Sequence, residues 1–350
     1  MADNQKTQRC RLHDYHEPCI YLLTVTVEGR KPLLGHLAGD VYTAHIELTE
    51  LGMAVRYETN MLPKHYPQVQ VLQYIVMPDH VHLILRVKER LPESLPLGNI
   101  VAAWKHACGK AYASLFASGD LKAATRNGGL VQKQPNGVNV MGPSRPLGKE
   151  TFRSPNIIPG EAAPHHLRLF SEGYNDSILR GREQLQHMIA YVRDNPRRLL
   201  LKRQCSPYFT IHRNTNVDGL SFDAVGNLAL LQRPLMAVHC RRRWTDEERQ
   251  AFATQCHAAS ESGAVLIGAF ISKAEQEIAH TANEHRHPLI HLVENGFPEL
   301  YKPVGQAFYA CAEGRLLLLA PWEYHADRKT ISREQCNELN SMAEAIAAKR

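Results

Sequence analysis

Histidine is the commonest side-chain metal ligand, and His80 and His82 stand two residues apart in the apolar run HVHLILRV (80–87). In a strand, both imidazoles project from one face and Val81 from the other. Two imidazoles side by side can share one divalent ion. The same spacing also suits two surface histidines on an alternating strand, and 19 histidines in the chain give the pattern many chances to arise. Farther along, Tyr191 and Asn195 are four apart in a helix-like segment, hence on one face of it. A tyrosine hydroxyl near a metal and a phosphodiester can act as a covalent nucleophile. An asparagine carbonyl oxygen suits a hard cation. Arg193, Arg197, Arg198, Lys202 and Arg203 crowd the same segment. They suit a phosphate backbone, but cations near a helix C-terminus are also favourable with no ligand at all.

The surrounding elements must bring these pairs together. IYLLTVTV (20–27) reads as a strand, and residues 40–57 carry helical apolar spacing. VLQYIVM (71–77) and HVHLILRV are strands joined by the short turn Met77-Pro78-Asp79. Residues 98–116 are helical, GYNDSILR (173–180) is a strand, and 183–195 is a helix that Pro196 ends or follows. The order is β-α-β-β-α-β plus one helix. This predicts an α+β, ferredoxin-like antiparallel sheet with its helices on one face. Residues 121–165 hold six glycines and six prolines with little periodic apolar content, and predict a disordered insertion.

From about Pro234 the grammar changes. LMAVHC (235–240), AVLIGAF (264–270), PLIHLV (288–293) and RLLLLA (315–320) are nearly all-apolar strands alternating with helices. Capping boxes at Thr245/Glu248 and Ser272/Glu275, and Ser332, open those helices. This predicts an α/β domain with a parallel sheet covered on both faces. Ligands of such sheets gather beyond the carboxyl ends of the strands. Arg241, Arg242 and Arg243 follow the first strand, and Ser272 and Lys273 the second. They form an expected anion site, with a solvated basic rim as the alternative.

Composition sets the bounds. The chain has 350 residues, a net charge of +6 and 44% hydrophobic residues: enough for two domains, with an anionic partner allowed. No apolar run reaches 18 residues and the N-terminus lacks a signal-peptide core, so the expectation is a cytoplasmic protein without a membrane partner. Eight scattered cysteines with no C-x-x-C pair argue against a zinc ribbon or a disulfide scaffold.

YIVMPDHVHLIL (74–85) resembles the metal-binding motif of the HUH single-tyrosine transposases. AYVRDNPRR (190–198) resembles the nucleophile helix of the REP-associated tyrosine transposases, whose pattern is Tyr, three residues, Asn-Pro. LGNIVAAWKHACGKAY (97–112), GYNDSILR and GRKPLLG (29–35) fit the elements between and around them. The resemblance implies that His80, His82 and Asn195 ligate Mg2+ or Mn2+ and that Tyr191 is the nucleophile. Tyr191 would take a 5′-phosphate and release a 3′-hydroxyl. The implied partner is single-stranded DNA with hairpins, contacted by Lys105, Arg193, Arg197, Arg198, Lys202 and Arg203. In that family a histidine often stands where this chain has Ser177. More weakly, residues 264–282 and 287–303 resemble the Rossmann-like domain of DNA-processing protein A, without its glycine-rich loop.

The expected organisation is a nuclease domain over 15–203, a linker over 204–233 and a Rossmann-like domain over 234–350, in a monomer or homodimer. The rival reading is a non-catalytic DNA-hairpin binder acting as a regulator, which has no need of the Tyr191 hydroxyl. A hydrolase using the histidines alone would not need it either.

Overall fold

The computed structural model describes residues 13–117, 168–327 and 330–350. The expected insertion, 121–165, lies outside them. The chain divides into two compact units, residues 1–200 and 201–350.

The first unit is built on a four-stranded antiparallel sheet. Its strands are β1 (Ile20–Thr26), β4 (Val69–Val76), β5 (His80–Val87) and β6 (Asn175–Leu179), in the order β4-β5-β1-β6. A separate hairpin pairs β2 (Gly35–Ala38) with β3 (His45–Leu48). The helices are α1 (Glu50–His65), α2 (Leu97–Ala117) and α3 (Arg182–Gln204), the last running on into the second unit. Alternation decides the layering. Tyr21, Leu23 and Val25 of β1 and Val81, Leu83 and Leu85 of β5 are buried against Leu51, Val55, Ile100 and Trp104 of α1 and α2. The opposite face carries Leu22, Ile84 and Leu179, packed against Val192, Met188 and Ile189 of α3. Helices therefore cover both faces, not the single face expected. Both sets of alternate residues on β1 and β5 are apolar, so each needs a cover.

Two helix boundaries differ from expectation. Residues 40–48 are not helical. Gly39 has φ +84°, and the Asp40 carboxylate accepts from the Tyr42 and Thr43 amides at 2.9 Å, a local turn that competes with helix. The helix starts only after Thr49, whose hydroxyl accepts from the Gly52 amide at 3.1 Å. Conversely, α3 does not end at Pro196. That residue is buried inside the helix, which runs to Gln204. Proline withholds one backbone donor, and packing of Val192 and Leu200 on either side carries the helix through.

The second unit holds a six-stranded sheet in the order β7-β8-β12-β11-β10-β9. Strands β9 (Leu235–Ala237), β10 (Val265–Gly268), β11 (Leu289–Leu292) and β12 (Leu316–Ala320) are parallel. Helices α4 (Asp246–Glu261), α5 (Lys273–Glu284) and α6 (Gly305–Ala312) pack on one face, with Leu266, Leu316 and Leu318. Helix α7 (Arg333–Ala347) packs on the other, with Val265, Ile267, Ile290 and Leu317. The expected linker is a correction. Residues 204–233 contain β7 (His212–Val217) and β8 (Leu220–Gly226), a hairpin that adds to β12 antiparallel and makes the sheet mixed. Asp218 and Gly219 turn it with φ +54° and +92°, the left-handed pair that a two-residue hairpin turn requires. β7 is polar because it is an edge strand, and that polarity reads as linker.

Candidate metal and nucleophile site

The turn Met77–Asp79 is held in place before any side chain is considered. The Val27 amide donates to the Asp79 carbonyl at 2.8 Å and the Leu34 amide to the Pro78 carbonyl at 3.0 Å. β5 therefore leaves the turn in fixed register: His80 stands opposite Thr26, and His82 opposite Thr24 on one side and Ile75 on the other. Val81, fully buried, faces the α1/α2 core.

On the α3 face the two imidazole Nε2 atoms are 3.2 Å apart. Two nitrogens held by one ion at about 2.1 Å each sit about 3.0–3.4 Å apart, so the pair fits a shared divalent metal. Each ring is also oriented from behind. His80 Nδ1 donates to Asp79 Oδ1 at 2.6 Å, which leaves the Nε2 lone pair for an ion. The Thr24 hydroxyl meets His82 Nδ1 at 2.9 Å. The Arg30 guanidinium lies 3.5 Å from the second Asp79 oxygen. Burial pushes the Asp79 carboxyl up, but the His80 hydrogen bond and neighbouring positive charge outweigh it, so the group lies below the usual carboxylate range. Burial, with His80 alongside, pushes His82 down to about 3. It is thus neutral near pH 7, the form that ligates a metal.

Helix α3 presents the second half. Val192 is fully buried on Ile84 and Leu179 and acts as the anchor. The adjacent Tyr191 ring then lies edge-on to His82, with 5.6 Å between centroids and planes at 64°. Asn195, one turn on and 8% exposed, donates from Nδ2 to the Tyr191 carbonyl at 2.9 Å. That leaves Oδ1 as the amide atom able to ligate a cation. Arg198 completes the row, its guanidinium carbon 5.3 Å from the Tyr191 ring centroid.

The structure thus gathers His80, His82, Tyr191, Asn195 and Arg198 on one side of the sheet. Arg193 reaches Gln73 Oε1 at 3.4 Å, and Arg197 lies 3.7 Å from Asp194. Lys202 and Arg203 occupy the last turn of α3, in the second unit. Lys105 is the exception. It lies on α2, which covers the other face of the sheet, beside a cavity of about 1110 Å3. Its ammonium donates to the Ser171 and Gly173 carbonyls at 2.6 and 2.8 Å, and burial lowers its pKa. This lysine ties the segment after residue 168 to α2 and stands apart from the histidine pair. Thr24, Asp79 and Arg30 are the participants that sequence reasoning missed. Asp79 counted only as a turn former, although a carboxylate next to a ligand histidine is a recurrent orienting group. Ser177 lies opposite Leu22 on β1, and so on the α3 face of the sheet.

The expected anion site of the second unit is filled from within. Glu275 is 2% exposed. Its Oε1 accepts from the Cys240 amide at 2.9 Å, and its Oε2 from the Ile271 and Ser272 amides at 3.0 Å each. The Ser272 hydroxyl accepts from the Glu275 amide at 3.3 Å. These amides lie where β9 and β10 end and α5 begins, the place a phosphate would take. A carboxylate of the chain already satisfies them. Arg241, Arg242 and Arg243 are exposed in the loop after β9, and Lys273 points to Glu277 at 3.9 Å.

The chain matches no protein-family model. It is 24% identical over 88 residues to an uncharacterised protein of Haemophilus influenzae, a match covering 25% of this chain and 47% of that one. The chain therefore spans about half the length of that relative. Among solved structures it is similar to a REP-associated tyrosine transposase bound to a REP hairpin, at 12% identity and TM-score 0.30, over 54% of this chain and 73% of that one. It is also similar to DNA processing protein A from Helicobacter pylori, described with a single-stranded DNA binding mode, at 18% identity and TM-score 0.30, over 41% and 67%. Among the described residues, no helix is long and apolar enough to cross a membrane.

Proposed function

We propose that this protein cleaves and rejoins single-stranded DNA, with Tyr191 as nucleophile. The first unit would be a ferredoxin-like HUH nuclease, with residues 15–203 as the catalytic domain, and the second a Rossmann-like accessory domain. One observation carries the reading: two imidazole nitrogens lie 3.2 Å apart, and the Tyr191 ring stands edge-on to the His82 ring with 5.6 Å between their centroids. His80, His82 and the Asn195 carbonyl oxygen would hold Mg2+ or Mn2+, which when bound polarises a phosphate oxygen.

The chain's own residues do the rest. The Tyr191 oxygen gives up its proton to solvent and attacks phosphorus, its bond to phosphorus forms, and the bond from phosphorus to the 3′ oxygen breaks, the leaving oxygen taking a proton back from solvent. The DNA 5′-phosphate is then joined to Tyr191, and the other fragment leaves as a 3′-hydroxyl. Attack by a 3′-hydroxyl reverses the sequence, so rejoining needs no energy cofactor. Arg198, stacked on the tyrosine ring, supplies positive charge where the phosphate must sit. Arg193 and Arg197 extend that charge along α3.

The test is incubation with 5′-labelled and 3′-labelled single strands, with and without a hairpin, in Mg2+ or Mn2+. The reading expects a denaturation-resistant protein–DNA adduct carrying the label 3′ of the break. Binding without an adduct would leave a hairpin-binding regulator. Cleavage without an adduct would leave a hydrolase.

A further inference from the structure

A second cluster of ligating side chains lies within the 201–350 unit, and the nuclease reading makes no use of it. Helix α5 ends in a tight left-handed turn. Arg286 has φ +61°, its amide donates to the Asn283 carbonyl at 3.1 Å, and the His287 amide donates to the Ala282 carbonyl at 2.8 Å. This is the two-bond helix stop usually made with glycine. Here it turns two histidines the same way: the rings of His285 and His287 stack 6.0 Å apart, their planes within 8°.

Helix α4 supplies the opposing ligands. His257 and Glu261 are four apart and share a face. Glu261 Oε1 is 3.0 Å from His287 Nε2 and 3.9 Å from His257 Nε2, and the three ligand atoms all lie within 4.8 Å of one another. His287 is mostly buried, while Glu261 and His257 reach solvent, so an ion has an open path in. A second observation concerns the adjoining cleft, about 500 Å3, which His257 and His287 line together with Ser260. The Ser260 hydroxyl is buried there and has no hydrogen-bond partner among the described residues.

We infer that His257, Glu261 and His287 form a transition-metal site suited to Zn2+. Two imidazoles and one carboxylate are the borderline donor set that Zn2+ takes, whereas Mg2+ favours oxygen. Ligand atoms around Zn2+ stand about 3.3 Å apart, and the observed 3.0 and 3.9 Å bracket that separation. The ion replaces the His287–Glu261 hydrogen bond. A fourth position remains open. His285 is the nearest further imidazole, 5.0 Å from His257 by ring centroids, and its Nδ1 donates to the Thr281 carbonyl at 2.9 Å, leaving Nε2 unprotonated in the neutral ring. Bound metal would fasten α4 to the turn between α5 and β11.

The test uses the full chain with His80→Ala and His82→Ala, which removes the other histidine pair and makes the result independent of the nuclease reading. After chelation, the protein is equilibrated with Zn2+ and metal is counted by mass spectrometry. About one ion per chain should remain, and Co2+ in its place should give the visible bands of a tetrahedral N/O site. Adding His257→Ala, Glu261→Gln or His287→Ala should weaken Zn2+ binding by more than about tenfold, since even a partner behind a ligand is worth about 10- to 100-fold. If the double-alanine background does not fold by circular dichroism, the same three changes in the wild-type chain should lower bound Zn2+ by about one ion. No retained Zn2+ in folded protein, or binding unchanged by all three substitutions, overturns the site.

Discussion

His82 and Tyr191 belong to elements about a hundred residues apart in sequence, yet their rings meet edge to face at 5.6 Å. Strand β5 fixes one and helix α3 the other, and Val192 fixes α3 by burying itself on Ile84 and Leu179. Tyr191→Phe keeps the ring and removes only the hydroxyl. It should abolish cleavage and the protein–DNA adduct while leaving DNA affinity within about threefold, a difference under about 0.7 kcal/mol. Gel assays with end-labelled strands measure both. Undiminished cleavage by the Phe variant would sink the covalent mechanism.

Strand alternation separates two kinds of damage on β5. His80→Ala and His82→Ala should each eliminate metal-dependent activity. Val81→Ala should retain activity and lose stability, on the order of 1–3 kcal/mol for buried methyl groups removed from the α1/α2 core. Denaturant melts and manganese titrations distinguish the two. A histidine variant that titrates manganese normally refutes the ligand assignment.

Asp79→Asn should weaken metal affinity by about 10- to 100-fold without unfolding the chain, because the carboxylate sets the tautomer of His80. Calorimetric titration of the wild type and variant gives the ratio. Equal affinities would mean that the His80–Asp79 contact holds only the turn.

The buried His82 makes metal-free protein sensitive to acid. Its folded pKa is about 3, below the ordinary value near 6.5, so between those values the unfolded chain binds the proton and the folded chain does not. Stability is therefore complete above about pH 6.5 and falls as pH drops towards 3, with a slope from this group of at most about 1.4 kcal/mol per pH unit. His82→Gln should flatten that slope. Melting temperatures in chelator across this range provide the measurement, and parallel curves would contradict the burial argument.

Glu275 accepts from three backbone amides. Glu275→Ala should destabilise the second unit by several kcal/mol, since each buried donor left unsatisfied costs roughly 1–3 kcal/mol. Added phosphate should not stabilise the wild type, because its cradle is occupied. Phosphate-dependent melting of the wild type, or a melting temperature unchanged by the substitution, would reverse this view.

Local chemistry determined a good deal of this protein. The alternation of HVHLILRV put both histidines on one face, the four-residue spacing put Tyr191 and Asn195 on another, and the capping residues at Thr245 and Ser272 marked two helix starts. These are legible because strand and helix periods and caps depend on near neighbours. Where neighbours mislead, only tertiary structure decided. Asp40–Leu48 has helical spacing but turns at Asp40 and pairs as β3. Pro196 should stop a helix, but packing on both sides of it carries α3 through. Polar β7 reads as linker, though Asp218-Gly219 already signalled a hairpin. Above all, no period within β5 or α3 states that α3 covers the histidine face rather than joining α1 and α2. That follows from Ile84, Leu22 and Leu179 forming a second apolar surface that only a third helix could bury, and this burial is what brings Tyr191 to His82.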